Sequence, residues 1–373
     1  MTNLNYRQCS RCVMDTSDPE ISFDANGYCN HCTTYLENKN NHSCTLVIED
    51  KKILSLIKKI KRKGRNKEYD CIMGISGGID SCYTAYMLKK FGLKVLLVHL
   101  DNGWDSDLSV QNIKAVVNKL GFDYESYVLN WEEFRDLQIA FLKASVIEAE
   151  TPTDIAILGS LHQVASRYGI KYIISGGNLA TEGILPALWH YDAKDTKFFN
   201  AVHKKFGSKK IKTFPNFGFW KEVYYKFIKG IRIVYILNYI PFTKENAVSV
   251  LENELNWKQY GGKHHESKFT AFIQSYLLPL KFNLDYRRAT LSTQICTGEI
   301  SRAAALEELN RSPFKPDTIK YDIEYIAKKL DMPVEEFETI LNDKPKTYRD
   351  YPNNEKILKR LYKLYKMTFK TNI

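Results

Sequence analysis

Apolar and polar positions follow two different rhythms along the middle of the chain. Tyr69–Ile75 is a short apolar run ending in glycines, and Asp80–Phe91 behind it has the apolar spacing of an amphipathic helix. Lys94–Leu100 and Leu108–Leu120 repeat the strand–helix pair. Tyr124–Leu129 predicts a third strand, and Trp131–Ala149 and Thr153–Tyr168 predict helices. Lys171–Ser175 predicts a further strand, closed by Gly176 and Gly177. Strands alternating with helices predict an α/β fold: a parallel sheet with helices on both faces, binding ligands at the carboxyl ends of its strands.

Texture divides the chain into three domains: a turn-rich, cysteine-bearing module over residues 1–45, the α/β domain over 46–200, and an aromatic, basic, mostly helical region over 201–373. A length of 373 residues exceeds one core, which agrees with that count. The most apolar run, Ile231–Phe242, contains Arg232 and is too short to span a bilayer. The first thirty residues are polar and lack the apolar stretch of a signal peptide. A cytoplasmic protein with no transmembrane segment is expected.

Charge changes the picture only as to partners. A formal +11 favours anionic ligands: nucleotides, sugar nucleotides, RNA or a membrane surface. The basic clusters Lys58–Arg65, Lys204–Lys212 and Lys356–Lys370 read as solvated faces.

The candidate chemistry begins at Ser76-Gly77-Gly78-Ile79-Asp80-Ser81, between the first strand and the first helix. Glycines let the backbone turn tightly, and its amides together with the helix dipole make a nest for phosphate. Ser76 and Ser81 can donate hydroxyls, and Asp80 can hold Mg²⁺ against the same oxygens. No Walker A lysine is present, so this is a different cradle. The hexapeptide resembles the signature of PP-loop enzymes, which cleave ATP to AMP and pyrophosphate. That resemblance implies that Asp101, in the turn after the second strand, lies beside the adenosine. At the next strand end, in Ser175–Gly183, Gly176 extends the nucleotide site, Asn178 can bond a substrate or phosphate oxygen, and Glu182 can complete the Mg²⁺ site.

Cys9-x2-Cys12 and Cys29-x2-Cys32 have the spacing of two knuckles closing on one tetrahedral Zn²⁺. Four thiolates leave no open position, so a structural zinc-ribbon-like site is expected, with an iron–sulfur cluster as the alternative. Cys44, Cys71, Cys82 and Cys296 show no partner spacing.

Four segments occur in order: Cys9–Pro19, the phosphate loop, Ser175–Gly183 and Tyr260-Gly-Gly-Lys-His-His-Glu-Ser267. Together they resemble the N-acetyl sugar amidotransferase family of surface-polysaccharide (lipopolysaccharide, O-antigen) biosynthesis, from Cys9 to about Leu309. The resemblance implies adenylation of an N-acetyl amide oxygen on a sugar, then displacement of AMP by ammonia to give an acetamidino group. No cysteine here has a glutaminase context, and the family implies a separate glutaminase subunit as ammonia source. In the last segment Lys263 can bind phosphate, Glu266 can bind magnesium, and His264 or His265 can take the proton from ammonia near neutral pH. Arg287 and Arg288 can hold an acidic, nucleotide-linked sugar.

Two segments are discounted. The aromatic stretch Phe214–Tyr225 reads as an interface or cleft wall, and the helix–turn–helix pattern over 323–341 as a packing hairpin, since its second helix is acidic rather than DNA-reading. The rival functions are a tRNA-thiolating PP-loop enzyme, whose cysteines would be Cys71 and Cys82, and a non-catalytic nucleotide-binding adaptor.

Overall fold

The computed structural model describes residues 6–41, 51–260 and 266–369. Helices α1 (Asn30–Asn41) and α2 (Lys51–Gly64) precede the first strand, β1 (Cys71–Gly74). The chain then runs α3 (Ile79–Lys90), β2 (Val95–Asp101), α4 (Asp107–Leu120), β3 (Asp123–Val128), α5 (Trp131–Ala144), α6 (Thr151–Arg167), β4 (Tyr172–Ser175) and the single turn α7 (Leu179–Glu182). After α8 (Thr196–Phe206) and α9 (Phe219–Val223) comes a fifth strand, β5 (Arg232–Tyr235).

All five strands are parallel, in the order β3-β2-β1-β4-β5. The chain winds outward from β1 to β3, then returns to the other side of β1 as β4. That reversal opens a crevice between the carboxyl ends of β1 and β4. Successive residues of β1 serve opposite faces, as the two-residue strand period requires. Cys71 and Met73 join the core under α2, α3, α4 and α10 (Lys244–Leu255), whereas Ile72 joins the core under α6.

The sheet therefore extends past residue 200, where a helical region was expected to begin. β5 pairs with β4, and α10 packs on α3. Arg232–Tyr235 escapes a periodicity reading because it is an edge strand with half of its residues exposed.

The remainder is helical, as expected: α11 (Lys268–Phe272), α12 (Leu278–Phe282), α13 (Arg287–Thr297), α14 (Arg302–Asn310), α15 (Pro316–Leu330), α16 (Val334–Asn342) and α17 (Glu355–Phe369). α15 and α16 pack on one another, and Asp331 turns the chain between them in the left-handed region, at φ 59°. Much of this region shares one apolar core with α5, α8 and the cysteine module. The lysines of the basic segment 204–212 are exposed, as expected, while backbone amides of Ser208, Lys209, Lys212 and Thr213 cap the buried carboxylates of Asp136 and Glu133 on α5. In the aromatic stretch Phe214 and Phe217 are buried, while Trp220 is 71% exposed. Among the described residues no helix is long and apolar enough to cross a membrane.

Candidate active site

The phosphate loop occupies the crevice that the strand order creates. Gly77 sits at φ +85°, and a Cβ there would stand 2.7 Å from the Ser109 carbonyl, so only glycine fits. Ser76 and Ser81 brace the turn: the Ser76 amide donates to Ser81 Oγ at 3.3 Å, the Gly78 amide donates to Ser76 Oγ at 3.3 Å, and Ser81 Oγ donates to the Gly78 carbonyl at 3.1 Å. The N-cap of α3, Gly78, has no side chain to cap the helix, which leaves the positive end of its dipole at the loop. Asp80 lies in the first turn of α3. Gly176, at the end of β4, backs directly onto Asp80 and Ser81; a Cβ there would lie 3.0 Å from the Ser81 amide.

A second layer fastens the loop from far along the chain. Trp257 Nε1 and Tyr260 Oη both donate to the Gly77 carbonyl, at 2.7 and 3.1 Å. Beyond them, the Glu266 carboxylate lies against Gly78, where any Cβ would collide with it. The Glu266 carbonyl accepts from the Ser106 amide, and the Lys268 amide donates to the Trp104 carbonyl, which ties this segment to the β2–α4 turn. Tyr260 and Glu266 thus both touch the loop. Lys263, His264 and His265 lie outside the described residues.

His99, at the end of β2, is a site residue that the sequence reading did not single out. Its Nδ1 lies 2.9 Å from the Ile75 carbonyl and its Nε2 2.8 Å from the Asp105 carboxylate. Both neighbours are acceptors, an arrangement that favours a proton on each ring nitrogen and hence the charged form. Burial alone would lower its pKa, but the hydrogen bond and charge of Asp105, with the Ile75 carbonyl, raise it above the usual histidine range. A histidine biased toward its charged form therefore sits beside a loop that lacks a lysine. No motif could have flagged it, because its signal is two acceptors brought together by the fold.

Other expected site residues are placed differently. Asp101 Oδ1 accepts from the Gly103 amide at 2.9 Å and shapes the turn after β2. Asn178 is 5% exposed, and its Oδ1 caps α7 through the Thr181 amide at 2.9 Å. Glu182 closes α7 near Gly177. Arg287 is turned away from the cleft: it pairs with Asp285 at 2.6 Å and donates to the carbonyls of Glu308 and Arg311. Arg288 bonds the Val13 carbonyl at 3.0 Å and pairs with Asp15 at 2.9 Å. Neither arginine lines the cleft. Guanidinium next to a local acid or a passing carbonyl is satisfied within the fold, which sequence alone cannot distinguish from a ligand arm.

The four cysteines of the first module converge. All are fully buried, with sulfurs within 4.8 Å of one another. Cys9 Sγ lies 3.8 Å from Cys32 Sγ, and Cys12 Sγ 3.6 Å from Cys29 Sγ. A tetrahedron with metal–sulfur bonds of about 2.3 Å has edges of about 3.8 Å, so the donor set fits a single Zn²⁺ better than a cluster spread over several irons. Amides of Cys12, Cys29 and Arg11 donate to Cys9 Sγ, as befits a thiolate. Cys296 adjoins Cys32 from α13. Arg302, on α14, grips the knuckle by donating to the carbonyls of Cys12 and Cys9 at 3.1 and 2.9 Å.

A cleft of about 1100 Å³ opens from Ser76 and Gly176, past His99, Asp105 and Glu266, toward the helical region. Residues 67–182 match the family "Thiamine biosynthesis protein (ThiI)", and residues 266–366 match "LPS biosynthesis protein WbpG-like, C-terminal domain". The α/β domain is thus that of a PP-loop, ATP-pyrophosphatase-type enzyme. The chain joins this domain to a C-terminal segment similar to WbpG-like lipopolysaccharide-biosynthesis proteins.

Among curated relatives, tRNA-specific 2-thiouridylase MnmA 2 of Fusobacterium nucleatum is 25% identical over 118 residues, 30% of this chain and 34% of that protein. MnmA of Clostridioides difficile is 28% identical over 123 residues, 28% of this chain and 34% of that protein. The chain spans about a third of the length of these relatives. Among solved structures, an NH3-dependent NAD synthetase from Campylobacter jejuni aligns over 54% of this chain and 82% of its own, at 16% identity and a TM-score of 0.29.

Proposed function

We propose that the chain is an ATP-dependent amidotransferase acting on an N-acetylated, nucleotide-linked sugar. It adenylates the N-acetyl amide oxygen and releases pyrophosphate. Ammonia from a separate glutaminase subunit then adds to the activated carbon, and AMP leaves, giving an acetamidino sugar. The observation that carries this reading is the seating of Tyr260 and Glu266 on the phosphate loop: the segment that marks the sugar amidotransferase resemblance flanks the place where ATP would be cleaved.

In this reading the loop amides and the first turn of α3 grip the pyrophosphate portion, and the His99 imidazolium offsets its charge. Asp80 and Glu182 are the carboxylates for Mg²⁺, which supplies further neutralisation of phosphate charge when bound. Lys263 binds phosphate, and one imidazole of His264 and His265 takes the proton from the attacking ammonia. Zn²⁺ on Cys9, Cys12, Cys29 and Cys32 is structural, because four thiolates leave no position for substrate.

The thiolation alternative is disfavoured by the cysteines. Cys71 and Cys82 are fully buried, and burial pushes both thiols up, away from the reactive thiolate. The test supplies ATP, ammonium at raised pH and N-acetyl sugar nucleotides, and measures AMP and pyrophosphate. Sugar-dependent release of both is expected. Release that depends on tRNA, or formation of ADP, would overturn the proposal.

A further inference from the structure

The lining of the cleft also holds polar groups that the phosphate chemistry does not use. Glu148 is 6% exposed, and among the described residues neither of its buried carboxylate oxygens has a hydrogen-bond partner. Glu150 Oε1 is in the same state, while its Oε2 accepts from the Thr270 hydroxyl. Facing the same cleft, Trp189 is 1% exposed, and its buried indole N–H has no partner among the described residues. Its ring meets that of Tyr286 at a centroid separation of 5.5 Å, and the Tyr286 hydroxyl is spent on the Trp189 carbonyl.

Burying such groups unpaired is costly, so acceptors and a donor left unpaired in the lining of one cleft point to a ligand there. The combination selects its chemistry. Phosphate is repelled by the carboxylates. A bare cation leaves the indole N–H unanswered, and among the described residues these acids belong to no cluster of three metal-ligating groups. A hydroxylated ring satisfies all three: its hydroxyls donate to Glu148 and Glu150, a ring or hydroxyl oxygen accepts from Trp189, and its C–H face packs on the Trp189–Tyr286 wall. Burial also holds both acids up to about 7, so near neutral pH each can donate as well as accept.

We infer that the cleft floor formed by Glu148, Glu150 and Trp189 seats the sugar ring of the substrate, with the phosphate loop at the other end of the same cleft. This inference rests on the sugar-nucleotide reading above. Its place in the chain is the break after α5, where Ser145 turns at φ 58° and carries the following acids toward the cleft.

The test is calorimetric titration of the full chain, saturated with α,β-methylene-ATP, with UDP-N-acetylglucosamine, UDP-N-acetylgalactosamine and UDP. The wild type is expected to bind a sugar nucleotide at least about tenfold more tightly than UDP. Glu148→Gln and Trp189→Phe should each erase that increment while leaving UDP and α,β-methylene-ATP affinity unchanged. Glu148→Gln should also raise Tm at pH 8, because it removes an unpaired buried charge. Variants that keep the increment, that lose the ATP analogue equally, or, for Glu148→Gln, that lower Tm, would overturn the inference alone. A wild type that binds neither sugar nucleotide better than UDP would remove the sugar-nucleotide reading itself, and the inference with it.

Discussion

The indole N–H of Trp257 donates to the carbonyl of Gly77 across 180 positions of sequence, at 2.7 Å. This bond fixes the tip of the phosphate loop from the far side of β5 and α10. It also braces Gly77 in its left-handed conformation, at φ +85°. Replacing Trp257 with Phe keeps the ring and removes the donor. A loss of about 1–2 kcal/mol is expected in urea unfolding, with a raised KM for ATP; an unchanged KM would mean that Tyr260 alone suffices.

His99 sets a pH dependence whose sign is fixed by its surroundings. Its folded pKa is raised above the ordinary 6.5, so the Asp105 pairing contributes fully below the unfolded value. That contribution is lost as pH rises through the higher, folded value. ATP affinity should fall over the same window in the wild type and stay flat in His99→Gln. An imidazole NMR titration checks the order: His99 must lose its proton at higher pH than an exposed histidine.

Gly78→Ala places a methyl group where the Glu266 carboxylate lies. The Tyr260–Glu266 segment must shift while the sheet stays intact, and kcat/KM should fall about a hundredfold or more. Adding Glu266→Ala to Gly78→Ala should restore binding of α,β-methylene-ATP but not turnover. Restored turnover would remove Glu266 from the chemistry.

Arg302→Leu separates docking from metal binding. The variant should keep its metal by elemental analysis yet lose Tm, because two knuckle carbonyls lose their donor. Cys12→Ser should lose both, since metal binding supplies much of the folding energy of so small a module. Equal zinc loss in the two variants would show that the clamp is part of the site.

How much of this was written in the sequence depends on whether the signal is local. Tyr69–Ile75, Lys94–Leu100 and Lys171–Ser175 are buried on both faces and read as unbroken apolar runs, so β1, β2 and β4 were legible to within a residue or two. The glycines at 77, 78 and 176 announced the crevice for the same reason. Helix α5 ends at Ala144, not Ala149, because Ser145 takes a left-handed conformation that no periodicity marks. His99, Glu148 and Trp189 acquire meaning only from what the fold sets opposite them or withholds. Arg287 and Arg288 are the converse: plausible ligand arms whose partners, Asp285 and Val13 with Asp15, become visible only in three dimensions.

The grip of Arg302 on the Cys9 carbonyl joins positions 293 residues apart. During synthesis the cysteine knuckles precede the sheet, whereas the surface that receives them on α13 and α14 leaves the ribosome only after all five strands have been made. The cysteine module, with any metal it holds, therefore cannot dock until α13 and α14 have been made, so this contact forms after synthesis of the sheet.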